Sequence, residues 1–322
     1  MTTPLVDNAH HSARTLGAAL IGAVAISFSA IFFALSAVEP ITGAFFRAAY
    51  SLPILGIIWW IGRAKDNRPR RSQWLAIGAG LMLGVDVLLW HTSINFIGAG
   101  LATLIANSSV IWVALGAWAF LGERPSSRIM VAVPVVLVGV GLVSGIGQSN
   151  AFGANPFLGA VLALLAALFY SSFILGFRAS NDTFAPPAGP LTQATFGALL
   201  TPLFLGIFIR PGIDFVPSWP AHGWLIALAL TAQVVGWLLI GYALPRLPAV
   251  ETATIILIQP VLTMIWGAFI FDERPSPVQM VGAAIVLGGV AYVATSPAAG
   301  GTSVESATEN DDEKEPGRPL HY

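Results

Sequence analysis

The sequence has little charge and no cysteine: of its 322 residues, 10% are charged and 56% are hydrophobic. About a quarter of the residues of an ordinary soluble domain are charged, so this composition excludes a water-soluble globule. With 15 Lys and Arg against 16 Asp and Glu, the chain has no basic surplus for a nucleic acid. The lack of cysteine excludes disulfides, thiolate metal ligands and a cysteine nucleophile. Together with a mean hydropathy of +0.77, this predicts an integral membrane protein.

Ten apolar runs are long enough to cross a hydrocarbon core, which requires about 20 helical residues. They cover residues 15–37, 41–62, 73–96, 98–120, 127–146, 157–178, 190–210, 222–244, 248–270 and 277–296. No run shows the alternating polarity of barrel strands. We therefore predict an all-α integral membrane fold with ten transmembrane helices.

The charges outside these runs predict the orientation of the chain. Residues 1–14 are polar and lack the pattern of a signal peptide, and residues 297–322 form an acidic tail that we expect to be disordered. Ten Lys and Arg residues from Arg14 to Arg246 lie on the side of the termini, and two, Arg210 and Arg274, lie on the other. Since basic residues are retained in the cytoplasm, we predict cytoplasmic termini and a plasma (inner) membrane location.

An internal repeat divides the chain into two halves. Glu123 to Ser126 reads Glu-Arg-Pro-Ser, and the same four residues recur 150 positions later, from Glu273 to Ser276. We predict two five-helix repeats, residues 15–146 and 157–296, joined by a linker loop over 147–156. Because five is odd, the repeats must be inverted, a plan typical of secondary transporters that alternate access to a central cavity.

Several motifs resemble those of EamA-type members of the drug/metabolite transporter superfamily. The resemblance is carried by residues 121–126, 243–250, 258–261, 272–276 and 279–282. It implies a ten-helix, twice-five fold and export of metabolites. The abundance of aromatic residues is most similar to the aromatic amino-acid exporters. Two positions depart from the family: Asn107 to Val110 lacks a common proline, and Gln259 stands where a glutamate is common.

Polar and aromatic residues inside the third run are candidates for a solute site. Asp86 would cost roughly 2.5 to 3.5 kcal/mol facing lipid, so it should face protein or water. Asp86 has two interpretations. It is a functional group that carries a proton or binds the substrate, or it is a neutral acid that forms hydrogen bonds between helices. Trp90, four residues later, shares its helix face and is either a cavity wall or an interface anchor. His91 beside it is either a ligand contact or a hydrogen-bonded packing residue.

The other candidate binding residues lie on four further runs. Asn107 and Ser108 belong to the one consecutive polar run inside a span and either line an aqueous path or join helices, and Gln259 is on the repeat-related helix. Tyr170 adds an aromatic wall. Gln233 and Trp237, four apart, repeat the polar and tryptophan pairing of the third run.

Four further residues have structural interpretations. Arg47 is close enough to a helix end for its side chain to reach the interface or to pair with Glu39. Pro53, Pro202 and Pro260 each interrupt a predicted helix, and we interpret them as hinges or as static bends.

These patterns favour a secondary transporter that exports small organic solutes, with neutral and aromatic amino acids as the predicted substrates, acting as a facilitator or exchanger. The alternative is proton-coupled efflux of multiple drugs or quaternary cations. A membrane enzyme is disfavoured, because GxSxG, HExxH and a Walker motif are lacking. We expect no cofactor, metal or obligatory protein partner; the solute and the lipid bilayer are the expected partners.

Overall fold

A computed structural model describes residues 5–122, 126–180, 186–209, 212–243, 247 and 249–294. Within these ranges the chain is helical and contains no strand. The proposed tail and the Glu123 to Pro125 part of the first Glu-Arg-Pro-Ser motif lie outside the described residues. The all-helical class is therefore confirmed for the described part of the chain.

Seven helices make up the first half. They are α1 (Leu5–Ser27), α2 (Ser29–Ser36), α3 (Pro40–Gly62), α4 (Arg70–Ile97), α5 (Ala99–Ala106), α6 (Ser109–Leu121) and α7 (Ser127–Val143). A short 3₁₀ turn, Arg63–Lys65, follows α3. Glycine at position 98, with a φ of +85°, permits the sharp turn that ends α4 and starts α5.

In the second half, the described residues form six helices and two π-helical segments. They are α8 (Pro156–Ser180), α9 (Ala188–Phe204), a π segment (Leu205–Ile209), α10 (Trp219–Ala227), a second π segment (Leu228–Gly236), α11 (Trp237–Ala243), α12 (Ala249–Phe271) and α13 (Pro277–Ala294).

The described helices differ from the predicted runs at three places. The first helix begins at Leu5 rather than at residue 15, because polar residues continue the helix outside the apolar run. The first and fourth predicted runs are each broken into two helices, at Phe28 and at Asn107 to Ser108. Hydropathy averages over a whole run and indicates whether that run lies in lipid. It does not detect one or two residues at which the helical backbone is interrupted.

Among the described residues, seven helical stretches are long and apolar enough to cross a membrane. They are Arg14–Ser36, Pro40–Lys65, Arg70–Ile97, Ala99–Ala119, Pro156–Ser180, Ala188–Ile209 and Trp219–Ala243. Three shorter apolar helices, Ser127–Val143, Leu257–Phe271 and Pro277–Val293, accompany them. The surface carries large apolar side chains such as Trp74, Phe208 and Phe269, exposed by 70%, 73% and 84%. Such a surface is suited to lipid rather than to water.

The two halves interleave. Helix α4 packs against α8 and α9, α3 against α9 and the second π segment, α7 against α13, and α5 against α12. Each of these contacts joins a helix of the first half to one of the second. We call the end of the bundle with the α3–α4 connection, residues 63–69, the basic end. The end with residues 272–276 is the opposite end.

The backbones of α4 and α9 approach each other closely at glycines. A Cβ at Gly80 would clash with the backbone carbonyl of Ala194, and one at Gly197 would clash with the carbonyl of Ile77. Small residues of this kind allow membrane helices to pack at backbone contact. Helix α4, which carries Asp86, Trp90 and His91, is therefore held firmly against α9.

Candidate functional site

Arg47 lies at the centre of a buried polar cluster. Its side chain is 7% exposed, its Nε donates a hydrogen bond to Gln233 Oε1 at 2.9 Å, and its Nη1 donates to Ser29 Oγ at 3.1 Å. The guanidinium lies 5.9 Å from the ring centroid of Trp90. The predicted role as an interface anchor or partner of Glu39 is therefore wrong. Because α3 starts at Pro40, Arg47 is two turns inside the bundle and faces protein.

Gln233 connects the Arg47 side chain to α9. The Gln233 side chain is 2% exposed; Oε1 accepts from Arg47, and Nε2 donates to Thr195 Oγ1 at 3.3 Å. Gln233 belongs to the π segment Leu228–Gly236, a form of helix often found at functional sites. The cluster thus joins α2, α3, α9 and this π segment.

Asp86 supplies a second buried charge beside the cluster. It is 7% exposed and lies close enough to Arg47 and Tyr170 to interact with both electrostatically. No ion pair within 4.0 Å joins Asp86 to Arg47. The expectation that Asp86 faces protein rather than lipid agrees with this position. Its roles as a solute ligand and as a proton carrier stay predictions.

Trp90 and His91 pack in the protein interior. Trp90 is 8% exposed, so the interpretation as an interface anchor does not apply, and its Nε1 has no hydrogen-bond partner among the described residues. His91 is fully buried and stacks on Phe33, with centroids 3.8 Å apart. The imidazole lies near the backbone of Pro40, but neither ring nitrogen meets hydrogen-bond geometry with a described residue.

Tyr170 and Trp237 form an aromatic wall with Phe173. The Trp237 ring lies 6.3 Å from the Tyr170 ring and 5.7 Å from the Phe173 ring, the latter edge to face. The wall joins α8 to α11. Gln233, four residues before Trp237, contacts different neighbours, because its side chain hydrogen-bonds to Arg47 and Thr195.

Among the described residues, no hydrogen bond joins Asn107, Ser108 or Gln259 to the Arg47 cluster. Asn107 Nδ2 donates to the carbonyl of Thr103 at 2.8 Å and so caps the end of α5. Ser108 is 1% exposed, and its Oγ has no described partner. The backbone carbonyl of Gln259 accepts from Thr263 Oγ1 at 2.9 Å. Their predicted roles in solute binding stay predictions.

The three predicted hinge prolines all lie inside helices. Pro53 interrupts α3, Pro260 interrupts α12, and Pro202 interrupts α9 three residues before its π segment. Each removes one intrahelical hydrogen bond. Movement at these positions stays a prediction.

The cavity at the Arg47 cluster is small. Its volume is about 10 Å³, and its polar lining consists of Arg47, Thr195 and Gln233. This is about the space of one water molecule, so a solute enters only if the surrounding helices separate. A larger hollow of about 510 Å³ lies between α4 and the end of α9. It is almost entirely apolar, with exposed Phe204 and Phe208 at its rim, as expected of a lipid-facing surface.

Charged residues to which the sequence analysis gave no functional role form hydrogen bonds at the two ends of the bundle. At the opposite end, Glu273 Oε1 accepts from the Ala99 N–H at 2.6 Å and Oε2 from the Gly100 N–H at 3.0 Å. Glu273 thus caps α5, where a carboxylate is favoured by the helix dipole. Burial raises the pKa of Glu273, and the two backbone hydrogen bonds partly offset this.

At the basic end, Arg68 joins the α3–α4 connection to α9. Its Nε donates to Asp66 Oδ1 at 2.8 Å and its Nη2 to Gln193 Oε1 at 2.9 Å. Burial alone would raise the pKa of Asp66, but hydrogen bonds from Arg68 and Trp59 lower it below its usual value. Glu273 belongs to the recurring Glu-Arg-Pro-Ser motif, so the sequence repeat drew attention to it. No motif in the sequence indicated the cluster of Asp66, Arg68 and Gln193.

The fold and the site together define a class: a multi-pass membrane protein with a buried polar cluster between its helices. Among the described residues there is no group of three or more His, Asp or Glu side chains that could hold a metal.

Comparison with known proteins identifies the family within this class. The family model described as "EamA-like transporter family" matches residues 14–145 and again 157–295. The chain belongs to the EamA-like transporter family, and it is a membrane transporter.

Three curated relatives are informative. An "Uncharacterized transporter" of Archaeoglobus fulgidus is 25% identical over 84% of this chain and 92% of its own length. The "Uncharacterized transporter YcbK" of Bacillus subtilis is 26% identical over 80% of this chain and 83% of its own. The "Threonine/homoserine exporter RhtA" of Salmonella typhimurium is 27% identical over 63% of this chain and 64% of its own.

A solved structure titled "Crystal structure of protein" is similar in fold. It aligns with a TM-score of 0.60 over 88% of this chain and 96% of that chain, at 16% identity. At that identity the match supports the fold alone.

Proposed function

We propose that this chain is a secondary transporter that exports small organic solutes, with neutral and aromatic amino acids as substrates, by alternating access as a facilitator or exchanger. The observation that carries the proposal is the buried cluster of Arg47, Gln233 and Thr195 inside an otherwise apolar bundle. Polar groups at this depth are costly and typically mark a solute path. The similarity to RhtA, a threonine/homoserine exporter, supports amino acids as the substrate class.

The proposed architecture is two inverted five-helix repeats. Seven long spans and three shorter apolar helices are described, and the same family model matches two successive segments of the chain, which supports this arrangement. The excess of Lys and Arg on one side supports cytoplasmic termini and a plasma membrane location. Because the cavity is closed in this conformation, transport requires rearrangement of the helices, for which Pro53, Pro202 and Pro260 are the proposed hinges.

The test is counterflow in liposomes. Purified protein is reconstituted in vesicles loaded with unlabelled phenylalanine, and uptake of labelled phenylalanine is measured without a proton gradient. We expect counterflow that other neutral amino acids inhibit and that Trp237→Ala reduces, because Trp237 belongs to the aromatic wall. Trp60→Ala is the matched control, since Trp60 is 60% exposed on the bundle surface. Absence of counterflow for every amino acid tested, from a folded sample, would contradict the proposal.

Asp86 favours a second candidate, proton-coupled efflux of multiple drugs or quaternary cations. A buried carboxylate can exchange a proton for a cation, and the aromatic wall can attract a cation by about 0.5 to 2 kcal/mol. Uptake of a hydrophobic cation driven by a pH gradient, abolished in Asp86→Asn and accompanied by no amino-acid counterflow, would establish this alternative. If Asp86→Asn takes up the hydrophobic cation as fast as the wild-type protein does, proton coupling through Asp86 is excluded.

A further inference from the structure

We propose that Arg47 and Asp86 act together to recognise a zwitterion, with Arg47 binding the carboxylate of the solute and Asp86 binding its ammonium group. This inference rests on the proposed function and narrows its substrate class. The solute must carry both charges close together, as an α-amino acid does. An amine or a carboxylic acid with the same side chain is not a substrate.

Arg47 retains free hydrogen-bonding capacity toward a carboxylate. Guanidinium has five N–H donors, and the described hydrogen bonds use Nε and one N–H of Nη1, both on neutral acceptors. Nη2 donates no hydrogen bond to any residue that the structure describes. The side chain also lines the small cavity. Gln233 and Ser29 therefore orient a cation whose remaining donors form the planar fork that matches a carboxylate.

Asp86 is the matching anion, and it is held apart from Arg47. The two groups interact electrostatically, yet no oxygen of Asp86 lies within 4.0 Å of an Arg47 nitrogen. Two opposite charges in direct contact would satisfy part of each other's hydrogen-bonding capacity and weaken their attraction for a solute. Two opposite charges that are close but not in contact can each bind the oppositely charged group of a small zwitterion that lies between them.

In this proposal, aromatic residues near Arg47 and Asp86 contact the side chain of the solute. Trp90 is four residues from Asp86 on α4 and lies over the Arg47 guanidinium. Tyr170 interacts electrostatically with Asp86 and contacts Trp237. An apolar or aromatic solute side chain would thus meet aromatic rings near its charged groups. Asp86 and these rings do not line the closed cavity, which holds about one water molecule, so the helices around it must separate to bring them into contact with a solute.

The experiment compares three competitors that share one side chain. Counterflow of labelled phenylalanine by the wild-type protein is measured with unlabelled phenylalanine, phenethylamine, which lacks the carboxylate, and 3-phenylpropionate, which lacks the ammonium group. We expect each analogue to compete at least about tenfold more weakly than phenylalanine, the effect of losing one charged hydrogen-bonding partner. Arg47→Gln and Asp86→Asn should each reduce phenylalanine counterflow at least about tenfold.

The controls are an arginine and an aspartate outside the cluster. Arg63 also lies over a tryptophan, 4.4 Å from the Trp60 ring, but is exposed, and Asp272 pairs with Arg274 on the surface. Arg63→Gln and Asp272→Asn should transport normally. A variant that elutes as an aggregate is disregarded, because the competition on the wild-type protein decides the inference without any variant.

Two outcomes overturn the inference while leaving the transporter proposal intact. If phenethylamine competes as well as phenylalanine, Arg47 does not recognise the carboxylate. If 3-phenylpropionate competes as well, Asp86 does not recognise the ammonium group. Absence of counterflow with every amino acid is a different result, and it would contradict the proposed function itself.

Discussion

Removal of the Glu273 carboxylate should lower the free energy of unfolding, because two backbone N–H groups lose their acceptors. Its two oxygens are the acceptors of the Ala99 and Gly100 N–H groups, and Ala99 is fully buried. An unsatisfied buried N–H costs about 1 to 3 kcal/mol, so Glu273→Ala should lower the free energy of unfolding by about 2 to 6 kcal/mol. Glu273→Gln keeps one acceptor oxygen and should lose about half of that.

The same carboxyl group gives a pH dependence of defined sign. Since burial raises the pKa of Glu273 and the backbone hydrogen bonds only partly offset this, the folded state binds the proton more tightly than the unfolded state. The contribution of Glu273 to stability is therefore largest below the ordinary glutamate pKa. It declines as the pH rises through the folded-state pKa. In Glu273→Gln this decline should be absent.

Thermal unfolding of the detergent-purified protein, followed by circular dichroism, measures both effects. Asp272→Asn is the adjacent control, because that side chain is 73% exposed and its loss should leave the unfolding temperature unchanged. An unfolding temperature of Glu273→Ala equal to that of the control would refute the argument that this carboxylate caps α5.

Three further outcomes are expected in the same unfolding assay. Because the pKa of Asp66 is lowered overall by Arg68, the wild type should lose stability as the pH falls below the ordinary value of 3.8, and Asp66→Asn should not show this loss. Gly80→Ala should cost about 1 to 3 kcal/mol by forcing a Cβ into the α9 backbone, whereas Gly78→Ala, with open space around it, should not destabilise. Gln279→Leu should cost at least about 2 kcal/mol, since the buried amide makes four hydrogen bonds to backbone groups; an unchanged unfolding temperature would contradict this.

The helical class was predictable because it depends on the length of apolar runs, which is a local property of the sequence. Membrane burial requires about 20 such residues in succession, and the described spans follow the predicted runs closely. The break at Phe28 was not predictable from hydropathy, because Phe28 is itself apolar. Asn107 and Ser108 are polar, but polar residues inside a span do not distinguish a helix break from a polar helix face.

The site was predictable in part. Asp86 and Trp90 were identified because polar and large aromatic groups in the third apolar run needed an explanation. Arg47 was misinterpreted because its partner Gln233 is 186 positions away in the chain, a separation at which residue spacing carries no information. The pairing of Gln233 with Trp237 was inferred from their spacing of four residues. That spacing does not reveal that Gln233 bonds to Arg47 whereas Trp237 packs against Tyr170 and Phe173.

The backbone contact between α4 and α9 has a mechanical consequence. Where Gly80 and Gly197 leave no side chain between the helices, one cannot slide or roll over the other without collision of carbonyl oxygens and Cα atoms. We therefore expect the two helices to move as one unit, although one belongs to each half of the chain. A displacement of either helix then shifts the other, so the two halves of the chain are coupled.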